Sequence, residues 1–285
     1  MYYKLKYKRL LKAISSSNDG AVIAFSGGVD SFLLLKATKD VFKENVLAIT
    51  GCLSLIPSSN LKRAKELTKL LKAEHLTINT GELKNENFMV NSDKRCYFCK
   101  QNLYKKIKEV ADKKGVTCLL DGTNADDEAE SRPGMTAAKE FGIKSPLAEV
   151  GLKKKEIRRL LKDFNLPDWD KPSETCLATR IPCGERITSN KLRKIEAAEE
   201  FLKKAGVKNL RVRLHNEHTA RIEAEEKDVP FFLQTEMRSL IWNKFHHIGF
   251  DYVFLNLRGY KTAVFPTMEL RREMRLTAGK SEINQ

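Results

Sequence analysis

Residues 26–31 read SGGVDS, set between the apolar run AVIAF (21–25) and a helical pattern through SFLLLKATKDVF. A short apolar run ending at paired glycines predicts a buried strand that turns sharply into a helix. Gly27 and Gly28 let the backbone approach an anion closely. Ser26 and Ser31 offer hydroxyl donors, and the helix start adds free N–H groups and the positive end of its dipole. No Lys-Ser or Lys-Thr pair is present, so this is not a Walker A loop. Asp30 would repel phosphate unless a cation sat between them, which points to Mg2+ at a nucleoside triphosphate. A GxGxxG fingerprint is absent, which argues against a dinucleotide-binding dehydrogenase.

Strand and helix signals then alternate. NVLAIT (45–50) and EHLTINT (74–80) read as strands on either side of an amphipathic helix, SSNLKRAKELTKLLKA (58–73). A helix over 97–115 leads to the strand VTCLLDGTN (116–124). The N-terminal stretch reads as an amphipathic helix with Leu5, Leu10, Leu11 and Ile14 near one face. This rhythm predicts an α/β fold, a parallel sheet covered by helices. Ligands bind such sheets at the carboxyl ends of the strands, so SGGVDS and DGTNADD (121–127) should meet there. Asp121, Asp126 and Asp127 form either a solvated turn or a loop facing a cation. Their place beside a phosphate loop favours adenylate and Mg2+.

Periodicity stops across NLPDWDKPSETCLATRIPCGERI (165–187), a length that marks a functional loop or a linker. Beyond it, a helix, two alternating strands (LRVRLHN, TARIEAE), a further helix and a last strand (DYVFLNL) predict a small α+β domain. The expected domains are 1–165 and 166–285. The charged tail after Thr267 is expected to fray or to make an oligomer contact.

The 285 residues carry a formal charge of +15, which raises an RNA partner. Stretches such as KKIKEVADKKG and KKKEIRRLLKDF mix signs and keep apolar periodicity, so solvated helix faces or anionic small molecules account for the charge better. No apolar run is long enough to cross a bilayer, and no secretory pattern opens the sequence. Six cysteines are too few for a disulfide scaffold, and a cytoplasmic, reducing setting is expected. There, RCYFCK (95–100) and ETCLATR (174–180) stand out. Cys96, Cys99 and Cys176 could ligate a metal, or two of them could form a redox pair, which leaves Cys176 unexplained. Zinc would want a fourth ligand, and Cys183 could supply it, although an isolated thiol is the simpler reading. Cys52 and Cys118 lie in apolar strand contexts and read as core residues.

The hexapeptide 26–31 resembles the PP-loop of ATP pyrophosphatases, and DGTNADD resembles their second conserved loop. The resemblance implies cleavage of ATP between the α- and β-phosphates. Nucleotide would be bound by Ser26, Gly27, Gly28, Asp30, Ser31, Asp121, Gly122 and Thr123, and Mg2+ by Asp30 and Asp126. RCYFCK, DGTNADD, RPGMTAAKEFGIKSPL (132–147), KPSETCLATRIPCGERIT (171–188) and LRVRLHN together resemble the LarE family over residues 15–260. LarE proteins are ATP-dependent sulfur transferases of nickel-pincer cofactor synthesis. The resemblance implies adenylation of a carboxylate of pyridinium-3,5-biscarboxylic acid mononucleotide and its replacement by a thiocarboxylate. In one form of the family a single cysteine, matched here by Cys176, gives up its own sulfur. In another, three cysteines hold a 4Fe–4S cluster whose open iron carries sulfide, and Cys96, Cys99 and Cys176 fit that form. A hexamer built from trimers is also implied.

The substrate's phosphate and carboxylates call for cations, and Arg180, Arg211 and Arg213 are candidates because guanidinium pairs planar anions bidentately. Ordinary solvated strand arginines are an equally good reading of the last two. Glu199, Glu200 and Asp228 are weaker candidates for a second anion or metal site, and His215 and His218 read as surface residues. Two rival readings are a tRNA-thiolating PP-loop enzyme and a non-enzymatic nucleotide- or metal-binding regulator. Against the first, no zinc-finger set flanks the loop and no RNA-binding module is recognisable.

Overall fold

A computed structural model describes residues 2–15, 20–129, 133–172, 174–257 and 259–260, with the backbone alone at 128 and 129. Arg132, Ser173 and the tail after Thr267 lie outside the described residues. The chain divides into two compact units, Met1–Glu196 and Ala197–Gln285.

In the first unit, β1 (Ala21–Ala24), β2 (Val46–Thr50), β3 (Glu74–Thr77) and β4 (Leu119–Asp121) form a parallel sheet in the order β3-β2-β1-β4. Strands β1, β2 and β4 are buried along their whole length, which is why they read as continuous apolar runs. β3 is the edge strand, and its exposure alternates with half-burial. The order reverses at β1, since β2 lies on one side of it and β4 on the other. That makes the carboxyl ends of β1 and β4 the topological switch point, the usual crevice for ligands in such sheets.

Helices Tyr2–Ile14, Val29–Phe42 and Lys154–Asp163 pack with the sheet into one core that includes Leu10, Ile14, Phe32, Leu34, Ile157 and Leu161. The N-terminal helix buries Lys6, Tyr7, Leu10 and Ile14. Leu5, expected on that face, is 55% exposed. Lys6 takes the inward position because its ammonium finds partners, the Glu156 carboxylate at 2.7 Å and the Gly151 carbonyl at 2.6 Å. Tyr7 donates its hydroxyl to Asp40 at 2.7 Å.

The loop 166–187 falls in the first unit rather than with the second. Its backbone polar groups explain why. Asn91, fully buried, places Nδ2 against the carbonyls of Pro182 (2.7 Å) and Glu185 (3.0 Å). The Gly184 and Ile187 amides donate to the Asn91 and Met89 carbonyls, and Arg63 pairs with Asp168. A loop with little secondary structure of its own must satisfy its peptide groups elsewhere, and here several are satisfied by the segment before the Arg95–Lys114 helix.

Within the second unit, β5 (Leu210–His215) and β6 (Thr219–Ala224) form a hairpin, and β7 (Tyr252–Leu255) adds in parallel to β6. The single helix expected across 231–249 is two, Val229–Leu233 and Thr235–Ile248, broken where Gln234 adopts extended backbone.

Replacing Asn91 with alanine leaves the Pro182 carbonyl to the Glu185 amide alone and takes the Asn91 donor from the Glu185 carbonyl, a loss of about 1–3 kcal/mol for such groups. Urea unfolding should show that loss, and limited proteolysis should show cleavage appearing within 181–187.

Candidate active site

The strand-to-helix turn at 25–29 is built by glycine. Gly27 has φ +74°, a region that disfavours side chains, and a Cβ there would press on Ala64. Gly28 caps the Val29–Phe42 helix in extended conformation. Ser31 donates its hydroxyl to the Gly28 carbonyl at 3.0 Å and lies 3.2 Å from the Ser26 hydroxyl. Gly28 N–H reaches the Ser26 hydroxyl at 3.3 Å. The loop is thus preformed, with its helix N-terminus directed at the switch point.

Gly122 brings the second loop against the first. A Cβ on it would stand 2.9 Å from the Ser31 amide nitrogen and 3.1 Å from its Cα. Asp121, Gly122 and Thr123 therefore join Ser26–Ser31, as the sequence order around the sheet requires. Asp121 itself is 2% exposed and accepts four hydrogen bonds, from the Thr123 amide and hydroxyl, the Ser145 hydroxyl and the Tyr104 hydroxyl. Its role in this geometry is to shape the loop. Asn124 organises the next turn by accepting from the Asp126 amide.

Asp30 forms an ion pair with Lys154, a residue outside every motif read from the sequence. Burial pushes the Asp30 carboxyl up, against the pull of Lys154. Its Oδ1 is buried with no hydrogen-bond partner among the described residues. A hard cation takes oxygen donors of this kind, so the site fits Mg2+. Asp126 accepts from the Lys154 backbone amide at 2.8 Å, which places its carboxylate at the start of the Lys154–Asp163 helix.

The Arg95–Lys114 helix carries the thiols and ties them to both loops. Tyr104 donates to Asp121 at 2.6 Å. Burial opposes the charge on Lys100, but Tyr104, Asp121 and Cys52 outweigh it and raise its pKa. At the other end, Arg95 is buried and donates to the Ala178 carbonyl at 3.3 Å, beside Cys176. Burial pushes the Cys176 thiol up to about 11, opposed by Arg95 and the Ala178 amide and assisted by Cys96 and Cys52. Four sulfurs thus share one neighbourhood. Cys52 is buried, as its apolar context predicts. Its sulfur lies 3.4 Å from that of Cys99, a contact the sequence did not suggest. Cys118 lies in the core. Cys183 is exposed and donates its thiol to the Asn91 carbonyl at 3.3 Å.

Arg180 is 4% exposed and donates to the Thr175 and Cys176 carbonyls and to the Thr175 and Thr179 hydroxyls. It clamps the turn that presents Cys176. In the second unit, Arg211 is 1% exposed with its guanidinium over the Tyr260 ring, and Arg213 donates to Glu223 at 2.8 Å. Glu199 accepts from the Val212 amide, Glu200 pairs with Lys204, and His218 meets Asp251 at the surface. Sequence reasoning missed Lys154, Arg95, Asn91 and Cys52. The Asn91–Arg95 spacing of four, just before a Cys-x-x-C, was the one local signal available.

A family described as a PP-loop domain matches residues 2–144. An uncharacterized protein of Synechocystis sp. is 38% identical over 86% of this chain and 91% of its own length. The pyridinium-3,5-bisthiocarboxylic acid mononucleotide synthase of Lactiplantibacillus plantarum is 31% identical over 90% of this chain and 92% of its own. An uncharacterized protein of Methanocaldococcus jannaschii is 33% identical, over 90% and 97% respectively.

Because the atoms facing Gly122 are backbone, Gly122→Ala has no flexible neighbour to push aside. Overpacking of this kind costs about 1–3 kcal/mol, and ATP affinity should fall on the order of tenfold, which is ~1.4 kcal/mol. Equilibrium binding of ATP, with far-UV circular dichroism as the control for folding, checks it.

Proposed function

We propose, on the premise that the chain belongs to the PP-loop family and within it to the LarE family of sulfur-inserting enzymes, that it converts pyridinium-3,5-biscarboxylic acid mononucleotide to its thiocarboxylate with cleavage of ATP. The observation that carries this reading is the Tyr104–Asp121 hydrogen bond. It joins the helix bearing Cys96 and Cys99 to the loop that completes the nucleotide site, so activation and sulfur supply share one rigid frame.

The chemistry assigns a task to each part. A carboxylate is a poor acyl donor, and its adenylate, formed with release of pyrophosphate, carries a good leaving group. Ser26, Gly27, Gly28 and Ser31 with the helix N-terminus would cradle the phosphates. Asp30, assisted by Asp126, would hold Mg2+, whose bound charge stabilises the departing pyrophosphate. Lys154 would then be released from Asp30 to face a phosphate oxygen. A sulfur nucleophile displaces AMP from the acyl carbon, the C–O bond breaking as the C–S bond forms. Repetition at the second carboxylate gives the bisthiocarboxylate.

Soft thiol donors at Cys96, Cys99 and Cys176 suit iron. Those three residues would hold a 4Fe–4S cluster, which when bound supplies an iron able to carry sulfide. Arg180 would set the Cys176 turn. An assembly of several copies fits the exposed apolar side chains of the second unit, Leu233, Leu240, Trp242, Tyr252 and Phe254. Among the described residues no helix is long and apolar enough to cross a membrane.

Anaerobic purification with iron and sulfide analysis tests the sulfur source. About four irons per chain are expected, lost in Cys96→Ala, Cys99→Ala and Cys176→Ala. An iron-free, active protein whose Cys176 becomes lighter by one molecule of hydrogen sulfide would establish the sacrificial route instead. Pyrophosphate release from ATP should require the biscarboxylate nucleotide, and its absence with that substrate would refute the reading.

A further inference from the structure

Cys52, Glu82 and Cys99 come from three separate elements, and nothing in nucleotide binding accounts for their meeting. Cys52 follows β2, Glu82 follows β3, and Cys99 lies in the Arg95–Lys114 helix. Cys52 has φ +56° and ψ 38°, a left-handed conformation uncommon outside glycine, and its amide donates to the Thr80 hydroxyl at 3.0 Å. Gly81, also left-handed, turns the chain so that Glu82 points inward. Two of the three thus reach the carboxyl edge of the sheet through turns of unusual backbone.

The atoms brought together are specific. The Cys52 and Cys99 sulfurs are 3.4 Å apart and both thiols are free; a disulfide would hold them at ~2.05 Å. With one Glu82 carboxylate oxygen they lie within 4.8 Å of one another. Glu82 is 1% exposed, and its Oε1 is buried with no hydrogen-bond partner among the described residues. A buried carboxylate oxygen is expensive to leave without a donor or a cation. Two thiolates on one tetrahedral ion, each at ~2.3 Å, stand about 3.8 Å apart. The observed pair needs only slight widening to match. Thiolates on two different irons of a cluster stand farther apart, because an iron–iron edge lies between them.

We propose that Cys52, Cys99 and Glu82 hold a single thiophilic divalent cation, of the zinc or ferrous class, with its fourth coordination position open. Two sulfurs and a carboxylate are a donor set such ions accept. The charges also close. Two thiolates, a carboxylate and a divalent ion leave one negative charge, and Lys100, on which the charge of Cys52 bears, supplies the positive one. This site shares Cys99 with the cluster reading and otherwise stands on different atoms. Ion and cluster therefore exclude each other at that thiol.

Cobalt titrated anaerobically into the iron-free full-length chain tests the site. One Co2+ per chain should bind, with an intense thiolate-to-cobalt band and the d–d bands of four-coordinate cobalt. Cys52→Ser and Glu82→Gln should each weaken binding about tenfold or more, whereas Cys96→Ser and Cys176→Ser should leave it unchanged. Bands that vanish in Cys96→Ser or Cys176→Ser but persist in Glu82→Gln would place the ion on the cluster thiols and overturn the proposal, as would their absence from the wild type. A second measurement needs no variant. Zn2+ should slow alkylation of Cys99, mapped by mass spectrometry, by about tenfold or more while Cys96 keeps its rate. Equal protection of the two, or none, overturns the site. Neither result depends on whether iron and sulfide assemble, so failure of this site is told apart from failure of the cluster.

Discussion

A tyrosine hydroxyl on a buried carboxylate couples the two halves of this site. Asp121 is removed from water, so its lone pairs must be met by protein donors. Thr123 and Ser145 supply donors from the loops nearby, and Tyr104 supplies one from a helix distant in sequence. That helix begins with Cys96 and Cys99. The donors that satisfy Asp121 therefore also fix the thiols relative to the nucleotide loop, and Gly122, pressed on the Ser31 backbone, fixes the nucleotide loop relative to Asp121. Movement of any one part would strand a buried charge or open a backbone contact.

The irregular segment that carries Cys176 is held by a different use of the same principle. It has one short turn, Leu177–Arg180, and otherwise no regular structure with which to pair its peptide groups. Side chains do that work. Asn91 meets the carbonyls of Pro182 and Glu185, Arg95 that of Ala178, and Arg180 those of Thr175 and Cys176. Two of these three side chains lie just before the Cys-x-x-C. The segment before the helix thus anchors the distant cysteine, and the start of the helix supplies the near ones.

The sheet, its switch point and the loop 26–31 were legible because each rests on local pattern: apolar runs for buried parallel strands, paired glycines for the turn, hydroxyls at a helix start. Cys96, Cys99 and Cys176 stood out through the family resemblance and through spacing. Cys52 did not. An apolar neighbourhood before it reads as core, and only the left-handed turn after β2 swings its sulfur towards Cys99. Lys154 and Arg95 were hidden for a related reason. A lysine or arginine in a charged helix is ordinary until tertiary structure places a buried carboxylate or carbonyl beside it. Leu5 shows the converse, since periodicity assigned it inward while Lys6 won that place through its pair with Glu156. The loop 166–187 lies with the first unit because its hydrogen bonds run to Met89, Asn91 and Arg95, contacts that composition does not reveal.

Two kinds of donor therefore meet along one sheet edge, oxygen beside the phosphate loop and chiefly sulfur beyond β2. Beside the phosphate loop the donors are oxygens, Asp30 above all, and hard ions such as Mg2+ prefer them. Beyond β2 the donors are chiefly sulfur, and soft or borderline ions prefer those. Asp121 is committed to four hydrogen bonds and has little capacity left for a metal. Burial opposes the charge on Lys100, and Tyr104, Asp121 and Cys52 uphold it. An enzyme that must activate a carboxylate with a magnesium nucleotide and then deliver sulfur to it needs both chemistries within reach of one substrate atom. Tyr104 links the two donor sets, because on the thiol-bearing helix it donates to the carboxylate that shapes the loop pressed on Ser31.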